Sequence, residues 1–431
     1  MTGRAPETGK IQPMTDYQAL DDEARKILRD NDRGSYTVPT DGLYPYQWNW
    51  DSAFAAMGFA GSDPDRAWTE LETLFSGQWQ NGMVPHILFH KPDPGYFPGP
   101  DVWGCSGPIP SSGISQPPIA ATMARKVWEQ DRGAGHPRMS ALVPKIAAWH
   151  RWFMQWRTDR GAVCITHPWE AGRDNACDWD GAMAAIDPQG VGEYTRRDTG
   201  HVDPAMRPTK QDYDRYIWLV QRGRRLEWDE EQMARDTPFR VADPGMTFML
   251  LRATRDLRAM AEATGFDTDE IDAWITRLRA GVETLWNAEL GSYDSRDAVN
   301  GGFAQCVSNA SFLNWYAGIE NADMLAQLDR VMDAVPYGVP SYDPEGPKFD
   351  AKRYWRGPTW GIVNTLIAWG LEDCGHAAQA ERVRRTTRDL IAEHGFAEYF
   401  DPIDGSPAGG GRFTWTAAIW LAWATPAAGG N

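Results

Sequence analysis

Apolar residues recur at helical spacing through most of this chain, and almost nowhere at the two-residue spacing of a half-buried strand. That pattern confines the fold to the all-α class. Helices are expected over 16–30, 51–59, 64–77, 117–129, 139–156, 245–264, 268–288, 309–319, 322–335, 359–371, 375–393 and 414–424. Pro64, Pro117 and Pro118 stand near first turns, where a missing N–H costs nothing. Asp269 and Glu270 put acids at a helix start, where the dipole favours them. β-branched alternation is scarce, so no sheet is expected. The connections alternate in character. Those within a helix pair are short, whereas 34–50, 80–115, 166–213, 338–358 and 395–413 are long and rich in Gly, Pro and aromatic residues. Long loops in a compact protein usually carry function. About twelve helices in pairs, with such loops recurring, predict a toroid of six α-hairpins, an (α/α)6 barrel, its loops gathered on one face around a pocket. No composition break and no fixed-period repeat divides the chain. Residues 13–431 are therefore read as one catalytic domain behind a flexible tail, 1–12.

Charge and composition narrow the function. With 43 Lys+Arg against 59 Asp+Glu, the net charge is −16, which opposes nucleic-acid binding. A small anionic substrate remains open, because it needs only one or two local cations. No apolar run of about 18 residues is present, so no membrane partner is expected. The N-terminus is polar and lacks an apolar signal core. Five cysteines, an odd number with no C-x-x-C pair, speak against a disulfide framework and a zinc knuckle. The expected compartment is the cytoplasm. No metalloprotease, P-loop, serine-hydrolase or dinucleotide motif occurs, so no cofactor or metal is expected. His86 and His90 read as core or loop histidines, and Cys177 as an inert buried thiol. Oligomeric state has no sequence signal. The unusual count is 22 Trp, many beside Gly, Pro, Asp or Glu. Indoles stack on the C–H faces of sugars; a Trp-rich helical core is the other reading.

The stretch 167–176, HPWEAGRDNA, sets Asp174 beside Trp169, Glu170 and Arg173 around Gly172. Gly172 permits close backbone approach to a ligand. Burial would raise the pKa of Asp174 for general-acid work, a neighbouring cation would oppose that, and an Asx turn or helix cap is the alternative. Glu398 lies between apolar neighbours in 395–402, GFAEYFDP, ahead of glycines 409–411. It reads either as a base holding a water or as a solvated loop acid. Two carboxyls facing across a sugar are what glycoside hydrolysis requires. Further aromatic and polar loops hold Tyr44, Trp50 and Asp51, then Gln116, then Tyr354, Trp355 and Arg356. Asp51 fits a sugar contact or an N-cap, and Arg356 an ion pair. Gln116 both donates and accepts, as sugar hydroxyls require.

Together these segments resemble glycoside hydrolase family 63, and within it the bacterial glucosylglycerate and mannosylglycerate hydrolases. The matching stretches are 44–52, 81–86, 96–100, 113–118, 169–175, 207–213, 354–360 and 398–401. They run in order over nearly the whole chain, and trehalases look like more distant relatives. The resemblance implies an (α/α)6 barrel and inverting hydrolysis of an α-glycoside. It implies that Asp174 is the general acid and Glu398 the general base. It places Trp50, Asp51, Gln116, Gly172 and Trp355 around the sugar. It places Tyr44, Tyr96, Arg207, Tyr213 and Tyr354 around a small acidic aglycone. Arg207 discriminates, since a guanidinium holds a carboxylate in a geometry Lys cannot reproduce; a loop salt bridge is its structural alternative. Arg412, Phe413 and Thr414 lack the polar amide expected near that point of the glycerate hydrolases. The expected substrate is glucosylglycerate first and mannosylglycerate second. A neutral disaccharide or oligosaccharide, or a catalytically silent sugar-binding protein, are the alternatives.

Overall fold

A computed structural model describes residues 15–105 and 107–429; the tail 1–12 lies outside them. The principal helices are α1 (Tyr17–Asn31), α2 (Asn49–Ala60), α3 (Pro64–Ser76), α4 (Ala120–Gln130), α5 (Gly135–Trp156) and α6 (Lys210–Arg225). They continue with α7 (Pro244–Thr264), α8 (Asp269–Glu283), α9 (Ala322–Asp333), α10 (Gly361–Asp373), α11 (Ala377–His394) and α12 (Thr414–Ile419). A π-helical turn, Trp420–Ala424, extends α12.

The helices sort into two layers by composition. Every residue of α2, NWDSAFAAMGFA, is buried, and so is α10 from Gly361 to Leu371. A helix without a polar face belongs inside. Small residues let these inner helices approach: a Cβ on Gly58 would lie 2.6 Å from the Cβ of Ala418. By contrast α1, α3 and α11 carry charged outer faces. Inner neighbours touch in the order α2, α4, α7, the turn Ser311–Leu313, α10 and α12, and α12 packs back on α2 to close a ring. Outside them α3 packs on α2, α5 on α4, α8 on α7, α9 on the Ser311 turn, α11 on α10 and α1 on α12. One hydrophobic cluster runs from Ala24 to Ala424.

Three expectations need correcting. The segment 309–319 is not a helix but a 3-10 turn, Ser311–Leu313, followed by turns. The Asn314 side chain donates to the Ile319 carbonyl and Gly318 has φ +68°, so side-chain bonding replaces the helical ladder. Conversely, α6 was not anticipated. Its capping box, Thr209 with Asp212, is present in the sequence, but dense Lys, Asp and Arg obscure its apolar stripe of Tyr213, Tyr216, Ile217 and Val220. Short strands also occur, against the expectation of none. Thr158–Asp159, Ala162–Ile165, Val241–Ala242 and Arg296–Asp297 form an antiparallel sheet in that order. Strands of two to four residues are too short to show alternation. This sheet matters for the site: Ile165 feeds the 166–176 loop, and Ala242 feeds Asp243, whose carboxylate caps α7.

Candidate active site

The long loops precede starts of the inner helices. Trp50 and Asp51 lie in the first turn of α2, Gln116 just before α4, Tyr354 before α10 and Glu398 before α12. All five anticipated loops line one cavity, which holds Tyr44, Trp50, Asp51, Tyr96, Gln116, Gly172, Asp174, Arg207, Tyr213, Tyr354 and Glu398. Trp355 is the exception. It is fully buried, stacked on Trp360 at 3.7 Å between ring centroids, and sits behind the wall, 6.3 Å from the Trp50 ring. The predicted indole face is therefore spent on packing.

The loop carrying Asp174 is held from behind. Arg173 points away from its neighbour and binds Asp178, Asp243 and Ser308 in a buried network. The expected opposition from this cation therefore does not arise locally. Tyr216 Oη (2.9 Å) and Trp179 Nε1 (3.1 Å) both donate to the Asp174 carbonyl. Gly172, at φ +67°, brings the chain so close to Trp50 that a Cβ would lie 2.8 Å from its ring. Asp174 caps no helix. Among the described residues no side chain donates to its carboxylate, so burial raises its pKa to about 8, with Arg207 opposing and Glu398 adding to the rise.

Glu398 is buried, not solvated. Its Oε1 accepts from Tyr44 Oη (3.2 Å) and Tyr354 Oη (3.3 Å), and its Oε2 from the Gly410 N–H (2.8 Å). Burial raises its pKa, while Arg207 and these donors pull it back. Asp51 is not the N-cap of α2, a position held by Trp48. Burial, then Glu398 and Asp174, raise its pKa well above the carboxylate range. Gln116 Oε1 accepts from the Trp50 N–H at 3.1 Å, which leaves its amide N–H groups for a ligand.

On the same cavity Arg207 is buried, with Tyr44 Oη between it and Glu398. Its Nε donates to Asp198 (2.8 Å), Nη2 lies 3.4 Å from Tyr44 Oη, and the guanidinium sits 3.8 Å over the Tyr354 ring. Its Nη1 has no partner among the described residues. The salt bridge and the cavity position thus coexist. Sequence reading gave no site role to Asp198, Arg197, Trp48, Phe413 or Trp169, which also line the cavity, and read His86, which does as well, as a core or loop histidine. The adjacent Arg196-Arg197-Asp198 run was the available signal. Arg412 faces outward and pairs with Glu23 and Asp30. Arg356 pairs with Asp180, and burial lifts the Cys177 thiol to about 12.

A family profile described as the mannosylglycerate hydrolase MGH1-like glycoside hydrolase domain matches residues 44–416. The chain is 46% identical over 417 residues to mannosylglycerate hydrolase MGH1 of Selaginella moellendorffii, covering 94% of this chain and 85% of that one. It is 32% identical over 429 residues to glucosylglycerate hydrolase of Mycolicibacterium hassiacum, covering 93% and 96%. The crystal structure of GH63 mannosylglycerate hydrolase from Thermus thermophilus, in complex with Tris and D-glycerate, matches with a TM-score of 0.90 at 44% identity, covering 94% and 99%. Neutral trehalase Nth1 of Saccharomyces cerevisiae shares the fold alone, with a TM-score of 0.52 at 14% identity over 90% of this chain and 72% of that one. A match across nearly the whole chain, on a site with paired carboxyls, makes this protein a glycoside hydrolase that belongs to the MGH1-like group of family 63.

Proposed function

We propose that the protein is an inverting α-glycosidase that hydrolyses mannosylglycerate or glucosylglycerate to the free hexose and glycerate. The observation that carries this reading is the unequal hydrogen bonding of two carboxyls on one cavity. Among the described residues no side chain donates to the Asp174 carboxyl, and burial holds it protonated near neutrality. Glu398 accepts three hydrogen bonds, which favour its anionic form. Environments that push two carboxyls apart assign the acid and the base. Asp174 protonates the glycosidic oxygen as its bond to the anomeric carbon breaks. Glu398 takes a proton from a water that attacks the opposite face, so the product anomer is β.

Trp50, Asp51, Gln116 and Gly172 surround the hexose in this reading, with Trp355 backing the wall. Tyr44, Tyr96, Tyr213 and Tyr354 enclose the aglycone, and Arg207 receives its carboxylate. Mannosylglycerate now comes first, because the relatives at 46% and 44% identity are named mannosylglycerate hydrolases and the glucosylglycerate hydrolase stands at 32%. We assign the ring of paired helices as an (α/α)6 barrel and residues 13–431 as one catalytic unit, which the closed ring and the continuous core support. The five cysteines are free, which suits a reducing compartment such as the cytoplasm. No described helix is long and apolar enough to cross a membrane.

The test is hexose release from α-mannosylglycerate, α-glucosylglycerate, trehalose and kojibiose, with Arg207→Ala alongside and proton NMR of the first-formed anomer. Release of the β-anomer from a glycerate glycoside, lost in the variant, is expected. Release only from a neutral sugar discards the glycerate assignment, and an α-product discards inversion.

A further inference from the structure

We propose that Arg173 is the positioning residue of the general acid: by tying itself to Asp178, Asp243 and Ser308, it fixes the backbone from which Asp174 reaches the glycosidic oxygen. The proposal rests on the reading of Asp174 as the acid.

Arg173 and Asp174 are neighbours in the chain that leave it on different sides. Asp174 lines the cavity and Arg173 does not. The Arg173 guanidinium lies between two carboxylates as buried as itself. Its Nη2 meets Asp243 Oδ1 at 2.7 Å and Asp178 Oδ1 at 3.1 Å, and its Nη1 meets Asp178 Oδ2 at 3.3 Å and Ser308 Oγ at 3.2 Å. Each carboxylate is held by something else as well. Asp243 caps α7 through the N–H groups of Gly245 and Met246, and its own N–H donates to the Val163 carbonyl of the sheet. Asp178 Oδ1 accepts from Ser308 Oγ at 3.0 Å and from Ser295 Oγ at 3.2 Å. One guanidinium thus joins the acid loop to an inner helix, to the 3-10 turn Cys177–Trp179 and to the Ser308 segment.

The same network reaches the backbone of Asp174. The guanidinium lies 5.1 Å over the Trp179 ring, and Trp179 Nε1 donates to the Asp174 carbonyl, as Tyr216 Oη does. The aim of the Asp174 carboxyl therefore comes from its main chain. Arg173 does not act on it by charge: the charged groups that bear on Asp174 are Arg207, Glu398 and Asp198, and Asp51 faces it across the cavity. The influence of Arg173 runs through geometry and burial. A misplacement of about 1 Å can cost about 10²-fold in rate. A loosened loop would also let water reach a carboxyl that stays protonated because it is dry.

The experiment uses the intact protein and two α-glycosyl substrates of one hexose, mannose first: the glycerate glycoside and the glycosyl fluoride. Fluoride departs without a proton from an acid, so the second substrate bypasses Asp174. The control is Asp174→Asn, which should lose about 10²–10⁴-fold on the glycoside and about tenfold or less on the fluoride. Arg173→Lys keeps the charge of the network but not the planar fork that spans three acceptors. It should lose about tenfold or more in kcat on the glycoside, with KM within about threefold, and stay within about twofold on the fluoride. Its alkaline limb on the glycoside should fall by about one pH unit. Ser308→Ala removes one acceptor and should show the same selective loss at about threefold, which decides the matter if Arg173→Lys does not fold. Equal losses on both substrates, or unchanged kcat on the glycoside, overturn the proposal and leave Arg173 a structural role. Equal losses in Asp174→Asn itself remove the reading of Asp174 as the acid, and the proposal with it.

Discussion

Asp174 and Glu398 share a cavity but not their partners, and that difference predicts separable behaviour. Asp174→Asn should lose about 10²–10⁴-fold in turnover, the scale of a general acid. It should also be the more stable protein in alkali. The folded pKa of Asp174 is raised to about 8, so the fold favours the protonated form, and ionisation is resisted progressively from the unfolded value of about 4 up to about 8. Differential scanning calorimetry should show the variant melting a few degrees higher at about pH 8.5, with the gap closing by about pH 5. An equal gap at both pH values would contradict the shift. Tyr354→Phe removes a donor from Glu398. The anionic base then loses support, so the acidic limb of the kcat/KM profile should move to higher pH while the alkaline limb near pH 8 stays with Asp174. Movement of the acidic limb to lower pH would count against Glu398 as the base. The two carboxyls were legible from their motifs. What they touch was not: Arg173 is adjacent to Asp174 in the chain yet binds Asp178 and Asp243, and Trp355 sits in an aromatic loop yet faces Trp360. Adjacency in sequence does not say which way a side chain leaves the backbone.

At the scale of elements, the loop 395–413 shows which parts of a motif carry geometry. Gly409 has φ +73°, and a Cβ there would come within 2.3 Å of Glu398 Oε2. Gly411, two residues on, has nothing within 4 Å of a Cβ. Gly409→Ala should therefore displace the carboxylate and cost about tenfold or more in kcat, whereas Gly411→Ala should leave activity within about twofold. Equal effects of the two, measured side by side, would refute this account of the loop. The three consecutive glycines were visible in the sequence, but not which one abuts the carboxylate. The helices were more legible, because a fully buried helix such as α10 and an amphipathic one such as α3 leave distinct patterns. The pattern failed where charge crowded the stripe, as in α6, and where side-chain bonding displaced the helix, as around Asn314.

The whole molecule sets one more condition. Tyr44 and Glu398 meet across 354 residues of chain, and α12 closes on α2, so the site exists only when the ring is complete. Periodicity carries no information on such pairings; the ordered series of motifs supplied it only through resemblance. The chain also carries a net charge of −16, while the cations Arg197 and Arg207 line the cavity. An anionic substrate is thus repelled at long range and attracted only at the end of its approach. Salt screens distant exposed charges strongly and buried ones weakly. Raising ionic strength from about 10 to about 150 mM should therefore increase kcat/KM on a glycerate glycoside by about twofold and leave a neutral glycerol glycoside unchanged. A steep fall with salt on the glycerate glycoside would mean that the cavity, not the surrounding surface, dominates the field the substrate meets, and the acidic balance of the chain would then have no bearing on capture.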